Sequence, residues 1–136
     1  MDIDSIIKQL IIDEGMRQHP YQDTVNKTTI GIGRNLTDVG ISQEEAIYLC
    51  KNDIEKVISQ LNMYLPWFVQ MSPARQEVLV NMAFNLGING LLSFKQTLTK
   101  MEQGDYNGAA CGMAASKWAV QVGARATRLI DKMRLG

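Results

Sequence analysis

The chain has 136 residues, 46% of them hydrophobic, with fourteen basic and fourteen acidic side chains and a formal net charge of zero. That length supports one globular domain and excludes two independent ones, although a single domain can still have two lobes. A neutral balance carries no nucleic-acid or anionic-membrane footprint, so a polyanionic partner would have to be gripped locally.

The chain starts MDIDSIIKQL, with acids where a signal peptide carries Lys or Arg, and its apolar runs fall far short of the roughly 20 residues that span a bilayer. Synthesis and folding in a cytoplasm are therefore expected. Ile6, Ile7, Leu10 and Ile11 recur at helical spacing and Gly15 supplies a stop, which predicts a helix over residues 3 to 14 with Glu14 at its C-terminal end. From Pro20 to Leu36 the pattern changes to short β-friendly pieces around Thr28, Thr29, Ile30 and Ile32, punctuated by polar pairs and glycines. A small antiparallel hairpin or meander is predicted there. His19, the sole histidine, lies beside Pro20 in a predicted polar turn with no second His or Cys nearby, and reads as a solvated side chain rather than a metal ligand.

Ser42 and Glu45 make a capping box, and Ile47, Cys50, Ile54, Ile58 and Leu61 form one stripe of a long predicted helix. Pro66 breaks it. Ser72-Pro73 starts the next helix, which carries Val78, Leu79, Met82, Ala83 and Leu86 inward and ends at Gly87 and Gly90. Three shorter helices are predicted over residues 93 to 103, 105 to 115 and 124 to 134, with a turn from Trp118 to Gly123. Cys50 and Cys111 match no metal spacing and read as reduced, core-filling thiols. Met16, Met63, Met71, Met82, Met101, Met113 and Met133 read as core fillers too. The expected fold is α+β and mostly helical: a single two-lobed domain with residues 16–60 as the smaller lobe and residues 1–15 and 61–136 as the helical lobe. The junction between lobes is the expected place for a cleft.

Glu14 and Asp23 flank a turn, so the chain can reverse and bring two carboxylates together, as glycoside hydrolysis requires: one to protonate the leaving oxygen, one to activate water or attack the sugar. On spacing alone the pair reads rather as solvated surface acids. Thr28 and Thr29 add hydroxyls that could hold a water, although threonine also simply favours strands. Gly31 and Gly33 lack the third glycine and the crossover of a dinucleotide site and read as close-packing or bulge glycines.

The run IDEGMRQHPYQDTVNKTTIGIG (12 to 33) resembles the catalytic segment of the bacteriophage lysozymes of the phage T4 type: Glu, eight residues, Asp, five residues, Thr, then Gly-x-Gly, here Glu14, Asp23 and Thr29. NMAFNLGINGLLSF (81 to 94) resembles that family's core helix, and AASKWAVQVGARATRLI (114 to 130) its Trp-to-Arg segment. The resemblance implies a two-lobed lysozyme fold that hydrolyses the β-1,4 bond between N-acetylmuramic acid and N-acetylglucosamine in peptidoglycan with inversion. It implies Glu14 as general acid, Asp23 as the carboxylate on the opposite face of the sugar, and Thr29 as a holder of the attacking water. Arg125 would orient Glu14; Phe84, Asn85, Thr97 and Asn35 would line the sugar cleft, although Phe84 reads equally as core. Trp118 is expected in the core. No metal or organic cofactor is implied.

An acid of this kind must hold its proton near neutral pH, which burial brings about, and Glu14 on an Ile-rich helix is better placed for that than Asp23 in a polar turn. Arg34 stands where the phage T4 enzyme has His, so an ion pair built on that histidine is remade or lost, at a cost expected in stability rather than catalysis. The segment between Leu36 and Ser42 is short, a helix of the smaller lobe is expected to be missing, and Gly112 replaces a polar contact residue. The leading expectation is an endolysin: a monomer made in the bacterial host cytoplasm that reaches the periplasmic wall with a holin-type membrane protein, binding glycan strands but neither nucleic acid nor membrane stably. The alternatives are a catalytically inactive wall-binding module of the same fold and a helical interaction domain with incidental acids.

Overall fold

A computed structural model describes residues 1–136, which divide into two units, Met1–Leu49 and Cys50–Gly136. In the first unit, α1 (Ile3–Glu14) begins at Asp2, whose carboxylate accepts from the Ser5 amide at 3.2 Å, and ends at Gly15. Gly15 adopts φ 80°, a conformation that costs glycine little, and its N–H closes the last turn on the Ile11 carbonyl. Then come β1 (Arg17–Gln22), β2 (Thr28–Gly31) and β3 (Arg34–Asn35), antiparallel in that order. The predicted meander is present, and it starts before Pro20. His19 lies exposed in β1 rather than in a turn.

Between Arg17↔Gly31 and Tyr21↔Thr29 four residue steps on β1 run against two on β2. Pro20 falls inside this bulge, where its missing N–H costs the ladder nothing. Gly31 and Gly33 both adopt left-handed φ, 68° and 71°, in the turn from β2 to β3. They serve that turn's geometry, which is a sharper requirement than close packing within a strand. No helix lies between Leu36 and Ser42, as expected from the shortened segment.

The long helix α2 (Gln43–Tyr64) starts in the first unit with the predicted capping box: the Glu45 amide donates to Ser42 Oγ at 3.1 Å and the Ser42 amide donates to Glu45 Oε1 at 2.9 Å. Glu45 also takes the Arg34 guanidinium in a fork, Nη1 to Oε1 and Nη2 to Oε2, both at 2.9 Å, while Nη1 reaches the Gly40 carbonyl at 3.1 Å. The ion pair of Arg34 is thus remade with a residue of the helix cap. Its apolar stripe is less buried than predicted: Leu61 is enclosed, Ile54 and Ile58 are half-buried, and Ile47 and Cys50 are exposed.

The second unit comprises the rest of α2, a 3-10 turn (Pro66–Gln70), α3 (Pro73–Leu92), α4 (Lys95–Glu102), α5 (Tyr106–Ala114), α6 (Lys117–Val122) and α7 (Ala124–Leu135). Ser72 caps α3, which breaks at Gly87 (φ 76°), but Gly90 continues the helix to Leu92 instead of ending it. Residues 117 to 122 form a helix capped by Ser116 where a turn was expected, because that hydroxyl takes the Ala119 amide. Leu61, Val78, Leu79, Met82, Leu91, Met101, Met113 and Met133 are fully buried, with Trp118 beside them. Met71 is also inside, whereas Met16 and Met63 lie on the surface. Cys50 and Cys111 are free and exposed, so they fill no core. Arg75 stacks 3.6 Å over the Tyr106 ring and donates to the carbonyls of Met133 and Arg134, which ties α3 and α5 to the end of α7. No single helix is long and apolar enough to cross a membrane.

Truncating Met82→Ala in this core removes a fully enclosed side chain and should cost about 2–5 kcal/mol in urea unfolding with an unchanged slope. Val120→Ala, at a position 84% exposed, should stay within about 0.5 kcal/mol. The hydrogen bond from Arg34, and then that from the Ser42 amide, hold the Glu45 carboxyl at about 2, below its ordinary 4.5, so the stabilisation is complete above the ordinary value and fades as pH falls toward about 2. Both groups are partly solvated, so the amplitude is small. Melting curves of the parent and Glu45→Gln should therefore differ most near neutral pH and converge toward pH about 2.

Candidate active site

The three residues of the signature occupy the first unit, and backbone groups bring two of them together. The loop joining β1 to β2 is closed by Asp23, whose Oδ1 accepts from the amides of Val25 at 2.9 Å and Lys27 at 2.8 Å. Asn26 in that loop takes a left-handed φ of 64°, which asparagine tolerates better than most side chains. The Asp23 amide donates to the Lys27 carbonyl at 2.9 Å, and the Thr29 hydroxyl donates to the same carbonyl at 3.0 Å. One acceptor thereby gathers the carboxylate-bearing loop and the strand hydroxyl. Oδ2 of Asp23 has no protein donor, and Thr29 Oγ1, having given its proton to Lys27, keeps its lone pairs for another donor such as water.

The two threonines separate as strand alternation demands. Thr29 is 3% exposed, whereas the Thr28 hydroxyl accepts from the Gln22 side chain at 2.9 Å on the exposed face. Glu14 closes α1 with an exposed side chain rather than a buried one, and packs on the β2–β3 turn: a Cβ placed on Gly33 would lie 3.1 Å from its Oε2 and 3.3 Å from its Cδ. Asn35 follows in β3, but its amide is engaged locally, donating to the Asp38 carboxylate at 2.9 Å and accepting from the Asp38 amide at 3.1 Å.

The other residues expected at the site belong to the second unit. Phe84 is 46% exposed and so is not core; it lines a groove with Ile54, Ile58, Val80, Asn81 and Arg125. Arg125 is half-buried there and held by Asn81, which accepts from its Nε at 2.8 Å. Asn85 accepts from Trp118 Nε1 at 3.1 Å, and that indole stands edge-on to Phe94. The indole is buried, as expected, and its one donor is satisfied. Thr97 is buried on α4 against Gly112 of α5, where any side chain larger than hydrogen would strike its hydroxyl. Gly112 is therefore required by close helix packing. No cluster of His, Cys, Asp and Glu forms a metal-binding group.

Sequence reading did not find three participants: the Lys27 carbonyl, Asn81 as partner of Arg125, and Glu45 as partner of Arg34. A backbone carbonyl leaves no mark on residue type. Glu45 was visible as a capping acid, and a second partner for it required the fold.

The phage lysozyme family model matches residues 12–134. The chain is similar to the pre-baseplate central spike protein Gp5 of Enterobacteria phage T4, with 29% identity over 92% of this chain and 27% of that protein, so it spans little more than a quarter of that relative. It is also similar to two Dictyostelium discoideum proteins named probable T4-type lysozyme 1 and 2, at 26% and 24% identity, each over 98% of this chain and 96% of the relative. Those two alignments run to 163 residues, longer than the chain itself, so the relatives carry segments that it lacks. The family match takes in the end of α1, the whole sheet and the helices that follow, and the chain belongs to the phage lysozyme family of lysozyme-type glycoside hydrolases.

Proposed function

We propose that this lysozyme acts on peptidoglycan by hydrolysing the β-1,4 bond between N-acetylmuramic acid and N-acetylglucosamine, with inversion at the anomeric carbon. Glu14 protonates the leaving oxygen. Asp23 and Thr29 hold and activate the water on the opposite face, Asp23 through its oxygen without a protein donor and Thr29 through its hydroxyl lone pairs. The observation that carries this reading is the shared Lys27 carbonyl, which fixes Asp23 and Thr29 together on the hairpin whose next turn meets Glu14. Displacement by an activated water gives inversion, whereas direct attack by Asp23 would give retention.

Phe84 offers an exposed aromatic face to a sugar ring. Arg125, held by Asn81, supplies a cation to the groove that Phe84 lines. The biological reading is an endolysin working as a monomer, made in the host cytoplasm and released to the periplasm by a holin-type membrane protein, with host lysis as the outcome. No cofactor enters the mechanism.

Purified protein and Glu14→Gln should be incubated with Gram-negative peptidoglycan while turbidity and reducing ends are followed. Loss of a positioned general acid is worth about 10²- to 10⁴-fold, so the variant should fall by that factor while still sedimenting with the wall. Equal activity of parent and variant would remove Glu14 from the role; two equally inactive proteins that still bind would establish a wall-binding module instead. Proton NMR of the first-formed anomer should show inversion, and a retained anomer would make Asp23 a nucleophile.

A further inference from the structure

We infer that Arg34 is a positioning residue for Glu14, acting through the Gly33 turn that it anchors to the cap of α2; this rests on the reading of Glu14 as the acid. The turn from β2 to β3 contains two glycines in left-handed conformations, Gly31 and Gly33, and glycine is the residue that restrains its own backbone least. Such a turn needs an external anchor to hold one shape. Arg34 supplies it from the next position. Its guanidinium grips both oxygens of Glu45 at 2.9 Å and the Gly40 carbonyl at 3.1 Å, and its backbone pairs with Ile30 across the ladder.

Glu45 is itself fixed from both ends, since its amide donates to Ser42 Oγ and its Oε1 takes the Ser42 amide. The fork therefore ends on a rigid helix cap rather than on a free side chain. At the same turn, the Gly33 backbone is the surface on which Glu14 rests, close enough that an added Cβ would sit 3.1–3.3 Å from Oε2, Cγ and Cδ. A shift of this turn moves the support beneath the acid. Planar, two-oxygen recognition is what arginine does and lysine does only as a point charge, so the conservative exchange should restore part of the effect.

The test compares the parent with Arg34→Ala, Arg34→Lys, Glu45→Gln and Gly33→Ala on soluble glycan strands, at a temperature where circular dichroism shows each folded. Misplacement of a reacting group by about 1 Å can cost on the order of 100-fold, and partial loss of an anchor should lower kcat on the order of tenfold in Arg34→Ala with KM within about twofold. Arg34→Lys should recover part of that loss. The carboxyl carbon resonance of Glu14 in glutamate-labelled protein, assigned by its disappearance in Glu14→Gln, should shift in Arg34→Ala. A lower melting temperature with kcat and this resonance both unchanged would overturn the inference and leave Arg34 a purely stabilising residue.

Should Arg34→Ala fail to fold, Glu45→Gln keeps the amide-accepting oxygen of the cap while removing the ion pair, and the same kcat and resonance changes are required of it. Gly33→Ala should lower kcat by direct contact with Glu14, and an unchanged kcat there would equally overturn the inference. If Glu14→Gln is inactive while Arg34→Ala matches the parent, the positioning role alone fails; if Glu14→Gln is as active as the parent, the reading of Glu14 fails with it.

Discussion

The carbonyl of Lys27 accepts from the Asp23 amide and from the Thr29 hydroxyl, and the organisation of the small sheet follows from that shared acceptor. A buried hydroxyl must find a partner, and a loop that turns through a left-handed asparagine must be closed by something stronger than its own conformational preference. One carbonyl meets both demands. The carboxylate of Asp23 returns two bonds to the loop through a single oxygen, which leaves the second oxygen unengaged by protein donors.

The ladder around this hairpin is irregular, and each irregularity has a local cause. Pro20 cannot donate, so β1 bulges where it sits, and the strand still delivers Tyr21 opposite Thr29. Gly31 and Gly33 carry the next reversal through conformations that would strain any other residue. That reversal is held by the Arg34–Glu45 fork, so the helix cap of α2 serves the sheet as well as the helix.

In the second unit stability comes from a methionine-rich core, whose long unbranched side chains fill the irregular gaps left by short helices. Polar groups inside it are paired: Trp118 with Asn85, Arg125 with Asn81, and Arg75 with the last carbonyls of α7. The close approach of α4 and α5 at Thr97 and Gly112 shows how a position that resembles a lost polar contact can be governed by packing instead.

Helix placement was legible in the sequence because capping boxes, prolines and glycines are local signals: the limits of α1, the Ser42–Glu45 cap and the Ser72-Pro73 start all act within a few residues of themselves. The spacing of Glu14, Asp23 and Thr29 was legible too, and strand alternation then put Thr29 inside and Thr28 on the exposed face. The sequence did not show that residues 117 to 122 form a helix, since the Ser116 cap competes with a turn of equal local merit, nor that both cysteines and two methionines lie outside the core. Burial depends on which face of a helix meets a neighbour, and residue type alone does not carry that information. What the sequence by itself determined was therefore the order of most elements and the spacing of Glu14, Asp23 and Thr29; only the tertiary structure decided which backbone carbonyl gathers Asp23 and Thr29, and which carboxylate takes Arg34, because a backbone carbonyl is the same for every residue type and a pair between a strand and a helix cap depends on how the chain folds back.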